Sequence, residues 1–213
     1  MSDLLERFSE SLVMNHDRWH DGEGYALGLL DEATDAERSA IESLILSRAV
    51  QDWRDVEALA VLGTDAARKK LREAYEGGDP AIRLALVMHA ADHLTEEEAC
   101  GVLVPLLKEK GIHDGLTGAL LVIEEFHPAP VIEALLDAAR DREGPVAIGC
   151  AAMLLYLHGL ASSPHGFEDR PFLLRFLEAS ERAAAHEELR ARIASAMVKK
   201  PSHSSPHAPW ITS

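Results

Sequence analysis

The sequence repeats a unit of two helices, and this repeat limits the possible folds more than any other feature. Each unit pairs an amphipathic helix with a second, more uniformly apolar helix. The second helices of three units align without gaps when Asp79, His113 and Gly144 are equivalent, with starts 34 and then 31 residues apart. A two-helix unit of about 30 residues cannot bury its apolar face alone, so neighbouring units must stack. The repeat therefore predicts an all-α fold, an α-solenoid of helix pairs.

Small residues recur at one position of the aligned apolar helices. In this alignment Ala85, Ala119 and Cys150 are equivalent. Side chains of this size let neighbouring helices approach closely, because the distance between two helix axes depends on the side chains at the contact. The position is therefore predicted to lie in the contact between helices.

Two flanking segments predict capping helices at the N- and C-terminal ends of the stack. Residues 2–14 are amphipathic, and residues 180–199 are rich in alanine and charge. The second segment carries its apolar residues on one stripe: Leu189, Ile193 and Met197. A repeat stack needs end helices with a polar outer face. We therefore predict one domain over 1–198 and a disordered Ser/Pro/His-rich tail over 199–213.

The segment 58–94 resembles the HEAT-like repeats of the bilin-lyase type. The resemblance rests on an A-x-x-x-L-G turn and a D-P-x-x-R helix start, formed by Ala58, Leu62, Gly63, Asp79, Pro80 and Arg83. It covers roughly residues 52–160, and the third repeat departs from it because Ile148 stands where Arg83 does. HEAT-like repeats imply a curved scaffold that binds other proteins, and they imply no particular activity.

The charge of the chain indicates which partners it can bind. Its formal net charge is −15 and its pI is near 5.1. An acidic surface repels phosphate backbones, so no nucleic acid is expected as a ligand. HEAT-like DNA glycosylases need a basic groove, and the predicted groove helices lack a row of Lys or Arg. A basic protein is the expected partner.

No motif in the sequence indicates catalysis. No serine, cysteine or lysine lies in a nucleophile motif, and no pair of acidic residues has a spacing that marks it as catalytic. Gly77 and Gly78 precede a D-P turn and are expected to end a helix, and a glycine-rich phosphate loop is missing. The chain is therefore predicted not to be an enzyme and to need no cofactor.

His89 and His93 are the pair most open to a metal interpretation. They lie four residues apart on the single helix expected over 79–94, a spacing at which two histidines can share a metal ion. The His-Glu-x-x-His pattern is absent, since Ala90, Ala91 and Asp92 follow His89. We expect ordinary packing, with contact to a partner or a metal ion as the alternatives, and predict no metal site.

Cysteine use and the absence of apolar runs bear on location. Cys100 and Cys150 fall within apolar helical patterns, which predicts two buried free thiols and a reducing, cytoplasmic environment. The segment MSDLLERFSE lacks a charged start followed by a long apolar stretch, so no secretory signal is expected. No apolar run approaches the roughly 20 residues that cross a bilayer, and no membrane association is expected.

Two surfaces are predicted to contact the partner. The first is the concave face of the solenoid, which would carry side chains of the second helices. The second is the long loop after Gly159, whose side chains are not expected to pack in the core. The predicted contacts on these surfaces are Arg83, His89, His93, Thr117, His158, His165, Glu168 and Asp169. The alternative for the loop is an insertion that bridges two repeats, with Asp169 acting only as a helix cap.

The expected function is non-enzymatic binding of one protein partner by a chain that is monomeric before complex formation. The sequence resembles free-standing bacterial HEAT-like proteins, for which an immunity role is one assignment. The expectation is therefore an immunity protein that neutralises a basic toxin such as a nuclease. A bilin-lyase-like role in chromophore handling and a general scaffold in a larger assembly are the alternatives.

Overall fold

The computed structural model describes residues 2–199 apart from residues 14, 17–19, 110, 112–114, 165 and 167. These described residues form twelve α-helices and one short 3₁₀-helix, without a β-strand. The helices are α1 (Asp3–Ser11), α2 (Leu29–Glu32), α3 (Asp35–Ser47), α4 (Trp53–Leu62), α5 (Asp65–Gly77), α6 (Pro80–His89), α7 (Glu96–Glu109), α8 (Leu116–Glu125), α9 (Ala129–Asp141), α10 (Gly144–Leu157), α11 (Arg170–Leu174) and α12 (Ala179–Lys199), and the 3₁₀-helix is Ala91–His93. The all-α prediction is confirmed.

The chain divides into two compact units. Unit 1 is Met1–Leu94 and unit 2 is Thr95–Ser213. A single domain over 1–198, and the stacking of all repeats into one capped solenoid, stay predictions. The predicted tail over 199–213 lies outside the described residues, except for Lys199 at the end of α12.

Polar side chains cap the starts of α3 and α6. Thr34 accepts a hydrogen bond from the amide of Glu37 at 3.3 Å, and the Glu37 carboxylate accepts from the Thr34 amide at 3.0 Å, which completes a capping box. Asp79 accepts from the amide of Ile82 at 2.9 Å, with Pro80 as the first helical residue. These caps satisfy backbone donors that have no partner inside the helix.

Unit 1 is built around one apolar core. Helix α4 packs against α3, α5 and α6, and α1 packs against α3. The fully buried members of this core are Phe8, Ile41, Ile45, Val56, Ala58, Leu59, Ala67, Leu71 and Leu86. Gly63 ends α4 in the left-handed conformation, with φ of 62°, as the A-x-x-x-L-G turn predicts.

Unit 2 is centred on α9, which packs against α7, α10 and α12. Helix α10 is its most buried element, with eight buried residues between Val146 and Leu155. The predicted column of small residues is buried: Ala119 and Cys150 are 0% exposed, and the equivalent Ala85 of unit 1 is 5% exposed. Helices α8 and α10 are in contact, and a Cβ on Gly149 would lie 3.5 Å from Cδ1 of Leu120.

The predicted helix over 79–94 is shorter than expected. Helix α6 ends at His89, and Ala90 leaves the helical conformation with φ of −141° and ψ of 32°. The amide of His93 then bonds the carbonyl of Ala90 at 3.0 Å in the tighter 3₁₀ pattern. Arg72 of α5 donates to the carbonyl of His93 at 2.9 Å and so stabilises this turn. The prediction that His89 and His93 share one helix face is therefore wrong.

Two predictions about burial are also corrected. Met197 does not continue the buried stripe of α12, because it is 63% exposed whereas Leu189 and Ile193 are buried. Of the two free thiols, Cys150 is buried and Cys100 is only half-buried. Burial raises the pKa of both thiols, that of Cys150 to about 12, so both are protonated at neutral pH.

Candidate functional site

An open groove in unit 2 lies beside the long loop that the sequence singles out. Its volume is about 520 Å³, and it runs between the turn that follows α10 and one face of α12. The lining residues are His158, Gly159, Leu160, Glu188, Ala191, Arg192, Ser195 and Ala196. We refer to this set as the α12 groove. Its volume falls within the range of about 300–1,000 Å³ that is typical of binding sites.

The wall of the α12 groove opposite the helix is a Schellman motif. Gly159 adopts φ of 68°, its amide bonds the carbonyl of Tyr156 at 2.8 Å, and the amide of Leu160 bonds the carbonyl of Leu155 at 2.8 Å. Glycine is suited to this position because side chains disfavour the left-handed conformation. The motif turns the chain sharply and places Leu160 at the surface beside α12, where it is 36% exposed.

A chain of ion pairs forms the polar side of the groove. Arg192 donates to Glu188 at 2.6 and 3.1 Å and to Asp169 at 3.1 Å. Arg175 donates to the second oxygen of Glu188 at 2.5 Å and to Glu181 at 3.2 Å. The hydrogen bonds from Arg175 and Arg192 hold the pKa of Glu188 below its ordinary value. The five groups carry three negative and two positive charges, so their net charge is negative.

The Arg192 guanidinium also packs against an aromatic ring. Its guanidinium carbon lies 4.0 Å from the centroid of the Phe172 ring, which packs edge-on against Phe176 at 5.7 Å between centroids. The aromatic stack and the two carboxylates fix the Arg192 side chain in one position. The groove is therefore a preformed surface.

His158 is a neutral member of the groove lining. It is half-buried, and burial followed by the nearby His127 lowers its pKa. Its Nε2 atom is buried and has no hydrogen-bond partner among the described residues. The arrangement is suited to binding.

One predicted loop residue, Asp169, contacts the lining of the groove. Asp169 is half-buried and pairs with Arg192, and its side chain makes no cap hydrogen bond to α11. The alternative that Asp169 acts only as a helix cap is therefore wrong. Glu168 is exposed and accepts from the Ser162 hydroxyl at 3.2 Å. Thr117 is exposed on α8, and His165 lies outside the described residues.

The predicted partner-contact residues of unit 1 interact with other residues of the same unit. Arg83 donates from Nε to the carbonyl of Tyr75 at 3.0 Å, near the C-terminus of α5, and its guanidinium lies over the Tyr75 ring. His89 stacks on Trp53 with 5.4 Å between ring centroids. Burial followed by Arg68 lowers the pKa of His93. All three predicted residues are half-buried, and their contact with a partner stays a prediction.

Sequence reasoning missed a buried polar cluster in unit 1. Asp55 is 3% exposed and accepts from the Tyr25 hydroxyl at 2.7 Å and from the Gln51 amide at 2.9 Å. Nε of Arg48 lies 3.6 Å from the same carboxylate. Burial and the bond to Asp55 raise the pKa of Tyr25 to about 12. The cluster ties the loop that carries Tyr25 to the start of α4.

Metal ligation, membrane insertion and similarity to known proteins were considered for the rest of the chain. Within the described residues, no group of three or more His, Cys, Asp or Glu side chains could hold a metal ion. Among the same residues, every helix is too short or too polar to cross a membrane. No family model, curated protein or solved structure matches the chain. The resemblance to HEAT-like repeats therefore stays a prediction.

Proposed function

We propose that the chain is a non-enzymatic protein-binding α-solenoid and that its partner is a basic protein. The observation that supports this proposal is that positive and negative side chains differ in how many of them are bonded within the fold. Many positive side chains bond the backbone or carboxylates of the fold, whereas several carboxylates face solvent without an ion pair among the described residues. A surface of this kind attracts a positively charged protein over a distance comparable to the Debye length, about 8 Å at physiological salt.

Positive side chains repeatedly bind backbone carbonyls near helix ends. Lys70 bonds the carbonyls of Leu46, in the last turn of α3, and of Arg48, which follows that helix. Arg142 donates to the carbonyl of Leu107 in the last turn of α7 at 2.8 Å. The same kind of bond is made by Arg38, Arg72, Arg83 and Arg182. Cations are favourable at these positions because the last carbonyls of a helix carry partial negative charge.

Several carboxylates of unit 2 are exposed and free of ion pairs within the described part of the chain. They are Glu97, Glu109, Glu125, Glu133 and Glu178. Since many of the described cations are engaged by carbonyls and carboxylates, these groups contribute directly to the negative surface. Electrostatic complementarity of this kind raises the rate at which a basic partner is captured and disfavours acidic competitors.

The finer proposal is that the partner is a toxin and the chain is its immunity protein. A nuclease presents a basic cleft to phosphate backbones, and an acidic protein can block that cleft. A producing cell needs such protection in its cytoplasm, where a reduced chain with two free thiols is stable.

The proposal is tested by affinity capture from cells of the natural producer, with mass spectrometry at about 50 mM and about 500 mM NaCl. We expect one stoichiometric basic protein whose capture weakens at the higher salt concentration. A toxin domain in that protein would support the immunity role. An empty capture, or one that holds only acidic proteins, would contradict the proposal, and several partners in unequal amounts would favour a general scaffold.

A further inference from the structure

We propose that the α12 groove receives a basic amphipathic helix of the partner protein. This inference rests on the proposed function and specifies how and where binding takes place. It is carried by three features of unit 2: the spacing of exposed small residues on α12, the exposed apolar side chains beside them, and the balance of charge around them.

The exposed side of α12 carries a row of residues with heptad spacing. Ala184, Glu188, Ala191, Ser195 and Val198 follow one another at intervals of four, three, four and three residues. Glu188 is half-buried and the other four are exposed, and the central three line the groove. This spacing is the one at which two helices pack along a common seam, and small side chains allow the two backbones to approach closely.

Exposed apolar side chains lie beside this row. Leu160 stands on the wall opposite α12, and Val198, the last residue of the row, is 84% exposed. An end helix that only caps a stack would carry polar residues here. A partner helix placed in the groove would cover Leu160 with its apolar face, in the helix-in-groove mode of recognition.

Charge indicates that this helix is basic. The Arg175 and Arg192 guanidiniums are each bound by two carboxylates, and the chain of ion pairs carries one excess negative charge. Glu187, next to the groove, is 78% exposed. Lysine or arginine residues that flank the apolar face of a partner helix would meet these carboxylates, whereas acidic flanks would be repelled. A second copy of the chain would bring carboxylates together and is disfavoured for that reason.

The experiment uses the full chain and a fluorescein-labelled helical peptide of leucine and lysine, with binding followed by anisotropy. A scrambled peptide of the same composition, without an apolar face, is the reference for charge alone. Two substitutions, Ala191→Arg and Ala191→Glu, block the groove with opposite charges. Ala183→Arg and Ala183→Glu are the matched controls, because Ala183 is exposed on the same helix and lies outside the groove lining.

We expect both Ala191 variants to weaken binding of the amphipathic peptide by about tenfold, and the Ala183 variants to change it by less than about twofold. The scrambled peptide should bind more weakly to the wild-type chain. Equal binding of both peptides, or a response that follows the sign of the charge at both positions, would overturn the inference. A wild-type dimer that Ala191→Arg dissociates would also overturn it, since the occupant would be a second copy.

The partner found by affinity capture separates this inference from the proposed function. If a basic partner is captured and binds Ala191→Arg as tightly as the wild type, the groove is not its site and only this inference fails. If no basic partner is captured, the proposed function fails, whatever the peptide does.

Discussion

The Asp55→Ala variant is expected to lose about 3 kcal/mol of unfolding free energy, because it removes the acceptor shared by a buried cluster. Asp55 accepts hydrogen bonds from the Tyr25 hydroxyl and the Gln51 amide and lies beside Arg48. Alanine would leave these donors without a partner in a site that is almost closed to water. Urea denaturation of the full chain, followed by circular dichroism, measures this loss.

Tyr25→Phe is the matched control for Asp55→Ala. It removes the hydrogen bond to Asp55 and the long one at 3.4 Å that the hydroxyl accepts from Arg48. Asp55 keeps the Gln51 amide and Arg48, so we expect a loss of about 1 kcal/mol. The Tyr25 phenol remains a donor throughout the neutral range because its pKa is raised to about 12. Equal losses for the two variants would show that the Tyr25 bond carries the whole effect and would contradict a shared acceptor.

The Phe176→Ala variant is expected to lose about 4 kcal/mol of unfolding free energy, because it opens a cavity beneath the α12 groove. Phe176 is 0% exposed and packs edge-on against Phe172, whose ring supports the Arg192 guanidinium. The backbone carbonyl of residue 176 accepts a hydrogen bond from Nε of Arg182 at 3.0 Å, and the alanine variant retains this carbonyl. The loss is measured by urea denaturation.

Leu177→Ala is the matched control for Phe176→Ala. Leu177 is the next residue in the chain and is 42% exposed, so its truncation should cost less than about 1 kcal/mol. A loss as large as that of Phe176→Ala would mean that the segment between α11 and α12 is packed differently from the described structure.

Local signals in the sequence indicate where several helices start. Thr34, Asp52, Asp79 and Thr95 each cap the helix that follows, because a capping side chain bonds an amide only two or three residues away. The end of α6 was missed for the opposite reason. The turn that follows α6 is bonded by Arg72, which reaches the His93 carbonyl from another helix, 21 residues away in the chain.

The candidate site could be predicted only in part. The long loop drew attention to Asp169, but the bond that positions this carboxylate comes from Arg192, 23 residues later. The spacing of Glu188 and Arg192, four residues apart on one helix, was the available signal for their ion pair. Tyr25 and Asp55 are 30 residues apart, and nothing in the local pattern of either residue indicates that they meet.

The measurement that tests the central claim most directly is the association rate of the chain with its captured partner. Glu97, Glu109 and Glu133 are replaced together by Gln in one variant and by Asp in a control that keeps the charge. Electrostatic capture predicts that the Gln variant associates about threefold more slowly than the wild type at low salt, and that this difference disappears at high salt. The Asp variant should associate as fast as the wild type. Equal rates for all three proteins at low salt would contradict the claim that negative charge recruits the partner.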